Sequence, residues 1–146
     1  MDVCLGLEHL PSSLLVLPNF VTLKIVGCHG LRESFRRLEG NYHSACPKLE
    51  ILHFQTMDLF EKDVHVIIYN FPNLKDLKVS WNNFVSLPTH IKESTKLTSL
   101  NVIYCAKLQE IPELPSSVEK LIAGECNSLN AKTSNMFMVS SLLALL

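Results

Sequence analysis

The stretch that decides the fold is FPNLKDLKVSWNNFVSLPTHIKES, residues 71–94. Its apolar positions are Leu74, Leu77, Val79, Phe84 and Leu87. The gaps of three, two, five and three between them match neither the period of about 3.6 of an amphipathic helix nor the period of about 2 of a half-buried strand. The mixed spacing predicts a short strand, then a turn, then a return segment without regular structure.

The same spacing recurs along the chain. Five segments align on their first apolar residue: FVTLKIVGCHGL (20–31), LEILHFQTMDLF (49–60), LKDLKVSWNNFV (74–85), LTSLNVIYCAKL (97–108) and VEKLIAGECNSL (118–129). They share L-x-x-L-x-L-x-x-(N/C), with Phe, Val, Ile or Ala at some leucine positions, and their starts lie 29, 25, 23 and 21 residues apart. This is the pattern and period of leucine-rich repeats. The predicted fold is an α/β solenoid, a leucine-rich-repeat horseshoe segment of about five repeats with short parallel strands on its concave face and irregular or short helical outer segments.

The repeats divide the chain into three parts. Residues 18–130 are predicted to hold the repeats, which start near 20, 49, 74, 97 and 118. Residues 1–17 are expected to form the outer part of a preceding repeat, and residues 131–146 a truncated apolar tail. Because no polar capping unit is evident at either end, we expect a segment of a longer array.

The two long repeats leave room for helices. Residues 32–48 are predicted to form an exposed loop or a short helix. In the second repeat, Asp63 is predicted to cap a helix that runs to about Tyr69, before Phe71 and Pro72 end it. The predicted buried face of this helix consists of Val64, Ile67 and Ile68.

Composition narrows the classes of function. Apolar residues make up 47% of the chain, charged residues 18%, and the net charge is −1, which favours a packed domain over a nucleic-acid or membrane-surface binder. The N-terminus lacks the basic region of a signal peptide, and the apolar tail 136–146 is shorter than the ~20 residues of a membrane span. We therefore expect a cytoplasmic location, with the nucleus as a second one, no nucleic-acid partner and no membrane span.

Motifs of catalysis and of cofactor binding are missing from the sequence. There is no G-x-S-x-G, no phosphate-binding G-x-x-x-x-G-K-[ST] and no dinucleotide-binding G-x-G-x-x-G. The five cysteines are odd in number and include no C-x-x-C pair, so reduced, buried thiols are expected rather than disulfides or a zinc site. We expect no catalytic residue, no cofactor and no metal, and hence no enzyme.

The Asn/Cys position of the repeat has a structural role. The side chain there must satisfy backbone amides that the turn buries inside the coil. The predicted turn ladder consists of Cys28, Asn82, Cys105 and Cys126. Asn82 can both donate and accept hydrogen bonds, whereas a thiol is a compact, weak donor. Met57 takes this place in the second repeat and is expected to serve it badly.

The outward positions of the five strands define a surface, called here the strand face. Its middle row is predicted to be Lys24, His53, Lys78, Asn101 and Ile122. One flanking row is Thr22, Ile51, Asp76, Ser99 and Lys120, and the other is Val26, Gln55, Ser80, Ile103 and Gly124. His53 is predicted to point outward beside Lys78 as a solvated strand residue.

Two aromatic residues follow neighbouring strands at the edge of this face. Trp81 and Tyr104 either stand exposed, as protein-binding hot spots do, or Trp81 folds over the turn into the core. The predicted protein-binding residues are Lys24, His53, Lys78, Asn101, Ile122, Asp76, Trp81 and Tyr104.

Residues 46–130, and 18–45 more loosely, resemble a known family. The opening FPNL, the turn NNFVSLP, the link IKES-x-x-L, the run C-x-x-L-x-E-I-P and the ending CNSL are typical of the last repeats of plant TIR-type nucleotide-binding leucine-rich-repeat immune receptors. Met57 and Trp81 depart from the family pattern, since Trp81 stands where a smaller polar residue is usual.

The resemblance implies an intracellular receptor for pathogen effectors. In that family the repeats sense an effector, directly or through a guarded host protein, and restrain a nucleotide-binding domain. The enzymatic TIR domain has no counterpart in this chain, so its activity is not carried over. A leucine-rich-repeat substrate adaptor of a ubiquitin ligase is the alternative function.

Overall fold

The computed structural model describes residues 17–36 and 46–130. The predictions for the outer part of a preceding repeat (apart from residue 17), for the apolar tail 131–146, and for the middle of the 32–48 segment lie outside the described residues.

Five parallel strands lie side by side in chain order. They are β1 (Thr22–Val26), β2 (Ile51–Gln55), β3 (Asp76–Lys78), β4 (Ser99–Asn101) and β5 (Lys120–Ile122). Every neighbouring pair is parallel, and the register places the first strand leucines of the five repeats, Leu23, Leu52, Leu77, Leu100 and Leu121, in one continuous row. The predicted parallel sheet of five short strands is confirmed.

The core lies behind this sheet. Side chains alternate along a strand, and Leu77 is accordingly buried while Asp76 and Lys78 on either side of it are half-exposed. Leu77 lies in register between Leu52 and Leu100, which are also buried. Neighbouring coils therefore share one core, and each coil depends on the next for burial of its leucines.

The helices lie on the return segments. α1 spans Arg32–Arg36, α2 spans Glu61–Asn70, and 3-10 segments cover His29–Leu31 and Thr89–Glu93. The start predicted for α2 is wrong, because the helix begins before Asp63. Its N-cap is Phe60.

Asp63 nevertheless accepts a hydrogen bond from the helix start, although it lies inside the first turn. Its carboxylate accepts the Phe60 backbone N–H at 2.8 Å and the Arg32 Nε–H at 2.7 Å, so a third-position carboxylate replaces the expected capping side chain. The predicted buried positions of α2 are buried, and the helix ends, as predicted, just before Phe71. No helix within the described residues is long and apolar enough to cross a membrane.

Candidate functional site

The residue directly before each ladder position adopts a left-handed backbone conformation. These residues are Gly27, Thr56, Trp81, Tyr104 and Glu125, with φ of 71°, 55°, 59°, 60° and 58°. Only glycine adopts this region without steric cost. The four non-glycine side chains are all exposed. The turn therefore presents to solvent whatever side chain the sequence places there.

Asn82 holds this turn together from within the coil. Its Oδ1 accepts the backbone N–H groups of Met57 and Leu59 from the preceding coil, both at 3.1 Å. Its Nδ2 lies 2.9–3.0 Å from three carbonyl oxygens, those of Phe54, Val79 and Ser80. Because Asn82 is buried, water cannot take over these bonds at no cost.

The ladder cysteines also contact backbone carbonyls, but a thiol has only one hydrogen to donate. Cys105 Sγ donates to the Val79 carbonyl at 3.3 Å, and Cys126 Sγ donates to the Val102 carbonyl at 3.2 Å, each to the preceding coil. Cys28 Sγ instead lies 3.5 Å from the carbonyl of Val26 in its own coil.

The thiols are poor nucleophiles. Burial raises the pKa of Cys105 to about 12, against the opposing effect of the nearby Asn82 and Trp81 backbone N–H groups. Burial also raises the pKa of Cys46 and Cys126. These groups stay protonated at neutral pH, and protonated thiols donate hydrogen bonds but do not attack electrophiles. The four described cysteines are buried and form no disulfide with one another.

Met57 interrupts the ladder. Its thioether has no hydrogen to donate, and its side chain is fully buried in the hydrophobic core. Met57 therefore stabilises the second coil by packing, while its own backbone N–H is bonded by Asn82.

The strand register defines two rows of the strand face. Lys24 pairs with His53, His53 with Lys78, Lys78 with Asn101, and Asn101 with Ile122, in the order predicted for the middle row. The flanking row that begins at Thr22 also follows the predicted order.

The other flanking row departs from prediction at Ser80. Its side chain was expected to face outward, but it is fully buried. β3 ends at Lys78, and Ser80 lies in the turn that follows it. There its carbonyl accepts the Thr56 N–H at 3.2 Å and lies 3.0 Å from Asn82 Nδ2.

His53 has a partner that the sequence analysis missed. Its Nε2 lies 2.8 Å from Oδ2 of Asp76, a residue of the flanking row in the next strand. Diagonal neighbours in adjacent strands are within reach of long side chains, so the alignment of the repeats contained this signal. Lys24 and Lys78 lie beside His53 in register, and neither lysine has an acidic partner among the described side chains.

Trp81 and Tyr104, called here the aromatic pair, stack on each other at the edge of the strand face. Their ring centroids are 4.1 Å apart and their planes differ by 21°. Trp81 is 53% exposed and Tyr104 41% exposed. Backbone bonds from Trp81 N–H to the Ile103 carbonyl (3.1 Å) and from Tyr104 N–H to the Gly124 carbonyl (3.0 Å) fix both turns. Of the two alternatives for Trp81, the exposed one is correct.

Comparison with known proteins identifies the family to which these repeats belong. Residues 2–134 match the family model described as "Disease resistance protein RPS4B-like, leucine-rich repeats". The chain belongs to this family. The match confirms the resemblance to the repeats of plant TIR-type resistance receptors, and no solved structure matches the chain.

Individual relatives from two plants are similar to the repeats. The probable disease resistance protein At4g19520 of Arabidopsis thaliana is 38% identical over 84 residues, which cover 56% of this chain and 5% of the relative. TMV resistance protein N of Nicotiana glutinosa is 31% identical over 76% of this chain and 9% of the relative. Disease resistance protein RPS4B of Arabidopsis thaliana is 30% identical over 88% of this chain and 10% of the relative. The chain thus corresponds to a leucine-rich-repeat region that makes up a small part of each resistance protein.

Proposed function

We propose that this chain is the protein-recognition module of an intracellular plant immune receptor and that it binds its partner through the strand face, on the concave side of the solenoid. The partner is a pathogen effector or a guarded host protein, and within a complete receptor also the nucleotide-binding domain. The module acts in the cytoplasm by binding, without catalysis.

One observation carries this proposal: the middle row of the strand face. A lysine, a histidine, a second lysine, an asparagine and an isoleucine are aligned in register on five paired strands. The opposite side of the same strands is packed into the core, so these side chains stand on a rigid base. Varied polar and apolar groups at fixed spacing discriminate between partners by their pattern as well as by charge.

Membership in the family of resistance-protein repeats favours the receptor over the ubiquitin-ligase adaptor. The complete gene product distinguishes the two. A nucleotide-binding P-loop upstream of the repeats supports the receptor, and an upstream F-box supports the adaptor.

The test is a triple swap of Lys78, Asn101 and Trp81 in the complete product of the gene that encodes these residues. We expect the swap to change which effector or guarded host protein triggers cell death in leaves, at unchanged protein level. A matched control exchanges Lys92 and Tyr69, two exposed residues of the return segments. Unchanged specificity at normal protein level would place recognition outside the strand face.

A further inference from the structure

We propose that the aromatic pair and Lys78 form one anchor site, and that its occupant is a short acidic segment of the partner protein with an aromatic or large aliphatic side chain two or three residues from a carboxylate. This inference rests on the proposed function and states which chemical groups the partner presents.

The aromatic pair is not required by the fold. The equivalent turn position holds Gly27, Thr56 and Glu125 in other coils, so the left-handed turn accepts small and polar residues. The left-handed backbone has the same steric cost for every non-glycine residue at this position, so the turn itself gives no reason for aromatic residues there.

The pair also has the physical properties of a binding anchor. Two stacked rings present a broad apolar surface, and Trp and Tyr are the residues most enriched at interface hot spots. Because the rings hold each other and their backbones are hydrogen-bonded to the next coil, little side-chain freedom remains to be lost on binding.

Charge on the strand face selects an acidic partner. Its residues include three lysines, Lys24, Lys78 and Lys120, against one acidic residue, Asp76, which already pairs with His53. The face is therefore positive although the whole chain has a net charge of −1. Complementary charge steers association and suppresses partners of the wrong sign.

The positions of the charges give the bound segment a direction. Lys78 precedes Trp81 by three residues, so their Cα atoms are at most roughly 10 Å apart. On the far side of the pair, the turn of the next coil carries the exposed carboxylate of Glu125. A partner carboxylate is attracted on the Lys78 side and repelled on the Glu125 side. An extended peptide advances about 3.3 Å per residue, which sets the separation of two or three residues between anchor side chain and carboxylate.

Trp81 is the only tryptophan of the chain, so its fluorescence reports on this site alone. The probe is a library of random 12-residue peptides displayed on phage and selected on the purified chain. We expect the recovered peptides to place Asp or Glu two or three residues from Trp, Tyr, Phe or Leu. Tryptophan-free binders, synthesised and titrated, should shift the Trp81 emission to shorter wavelength as they cover the ring.

Variants with matched controls test the anchor directly. Tyr104→Ala and Lys78→Glu should each weaken binding of a selected peptide at least tenfold, and Tyr104→Phe, which keeps the stack, should bind within about threefold. The controls Tyr69→Ala and Lys92→Glu should bind like the wild type. Circular dichroism verifies that each variant is folded, and Lys78→Glu, at a partly exposed position, provides a test even where Tyr104→Ala does not fold.

Several results would overturn the anchor. They are recovery of no peptides or of basic ones, an unchanged emission, and equal binding by wild type and Lys78→Glu. A separate comparison in the complete gene product distinguishes this failure from failure of the proposed function. If swapping Lys24 and Asn101 abolishes the cell-death response while Tyr104→Ala and Lys78→Glu leave it intact, the anchor is wrong and the strand face remains the binding surface. If all of these variants respond normally, both are wrong.

Discussion

Replacement of Asn82 by alanine should strongly destabilise the sheet, because its side chain bonds backbone groups of its own turn and of the preceding coil. The change removes the acceptor for two buried N–H groups, those of Met57 and Leu59, and the donor for the surrounding carbonyls. An amide nitrogen has two hydrogens, so at most two of the three neighbouring carbonyls are fully bonded at one time. The Val79 and Ser80 carbonyls keep other donors, the Cys105 thiol and the Thr56 N–H. Asn82→Ala therefore leaves two buried groups, the N–H groups of Met57 and Leu59, without their acceptor.

The magnitude follows from that number. A buried polar group that loses its partner costs roughly 1–3 kcal/mol, and partial access of water to the vacated space reduces the sum. Two such groups give an expected loss of about 2–5 kcal/mol in the free energy of unfolding. Since domains are typically stable by only about 5–15 kcal/mol, much of the margin disappears. Asn82→Cys imitates the contact of Cys105, retains one donor and a weakly accepting sulfur, and should lose less stability than Asn82→Ala.

Urea denaturation, monitored by circular dichroism and by Trp81 fluorescence, measures these differences. The expected order of stability is wild type, then Asn82→Cys, then Asn82→Ala. Exchange of the half-exposed neighbour Asn83 for alanine is the control, since it removes one side-chain bond to Asp58 and should cost less than about 1 kcal/mol. A loss below 1 kcal/mol for Asn82→Ala would refute the assignment of Asn82 as the residue that holds the turn.

Three further predictions concern the core and the titratable groups. Leu77→Asp should abolish the cooperative melt because it buries an unpaired charge between two coils, whereas Lys78→Asp should leave the melting temperature nearly unchanged; equal damage would mean that the strand alternation is wrong. Because the pKa of Cys105 is raised to about 12, its contribution to stability is complete below the unfolded thiol pKa of about 8.5 and is lost as pH rises toward 12. In urea titrations, Cys105→Ala should lose less stability at alkaline pH than the wild type. An equal loss in both proteins would contradict this. Burial lowers the pKa of His90, as does the charge of His65, whose ring lies 4.4 Å away, while Glu93 has the opposite effect. The contribution of neutral His90 to stability is therefore complete above about pH 6.5 and should be lost as pH falls through the lowered pKa. His90→Gln should lose less stability than the wild type between neutral and mildly acid pH.

The leucine spacing alone predicted the sheet and its register. When a strand pattern repeats, stacking the copies places equivalent residues side by side, so the repeat pattern alone aligns Lys24, His53 and Lys78. Local sequence signals predicted the start of a helix less well. The start of α2 was misplaced because Asp63 carries a capping side chain, yet it acts from the third helical position on the Phe60 N–H.

Only the tertiary structure decided which side chains are exposed at the turns and what they contact. Ser80 follows the outward alternation but is buried in the turn after β3. The pairing of His53 with Asp76 and the five contacts of Asn82 link residues that are mostly more than 20 positions apart. The exposure of Trp81 depends on a left-handed backbone and on a ring that belongs to the next coil. Sequence periodicity specifies which residues share a face, but the backbone dihedrals of a turn are set by hydrogen bonds between coils, and these exist only once the coils are stacked.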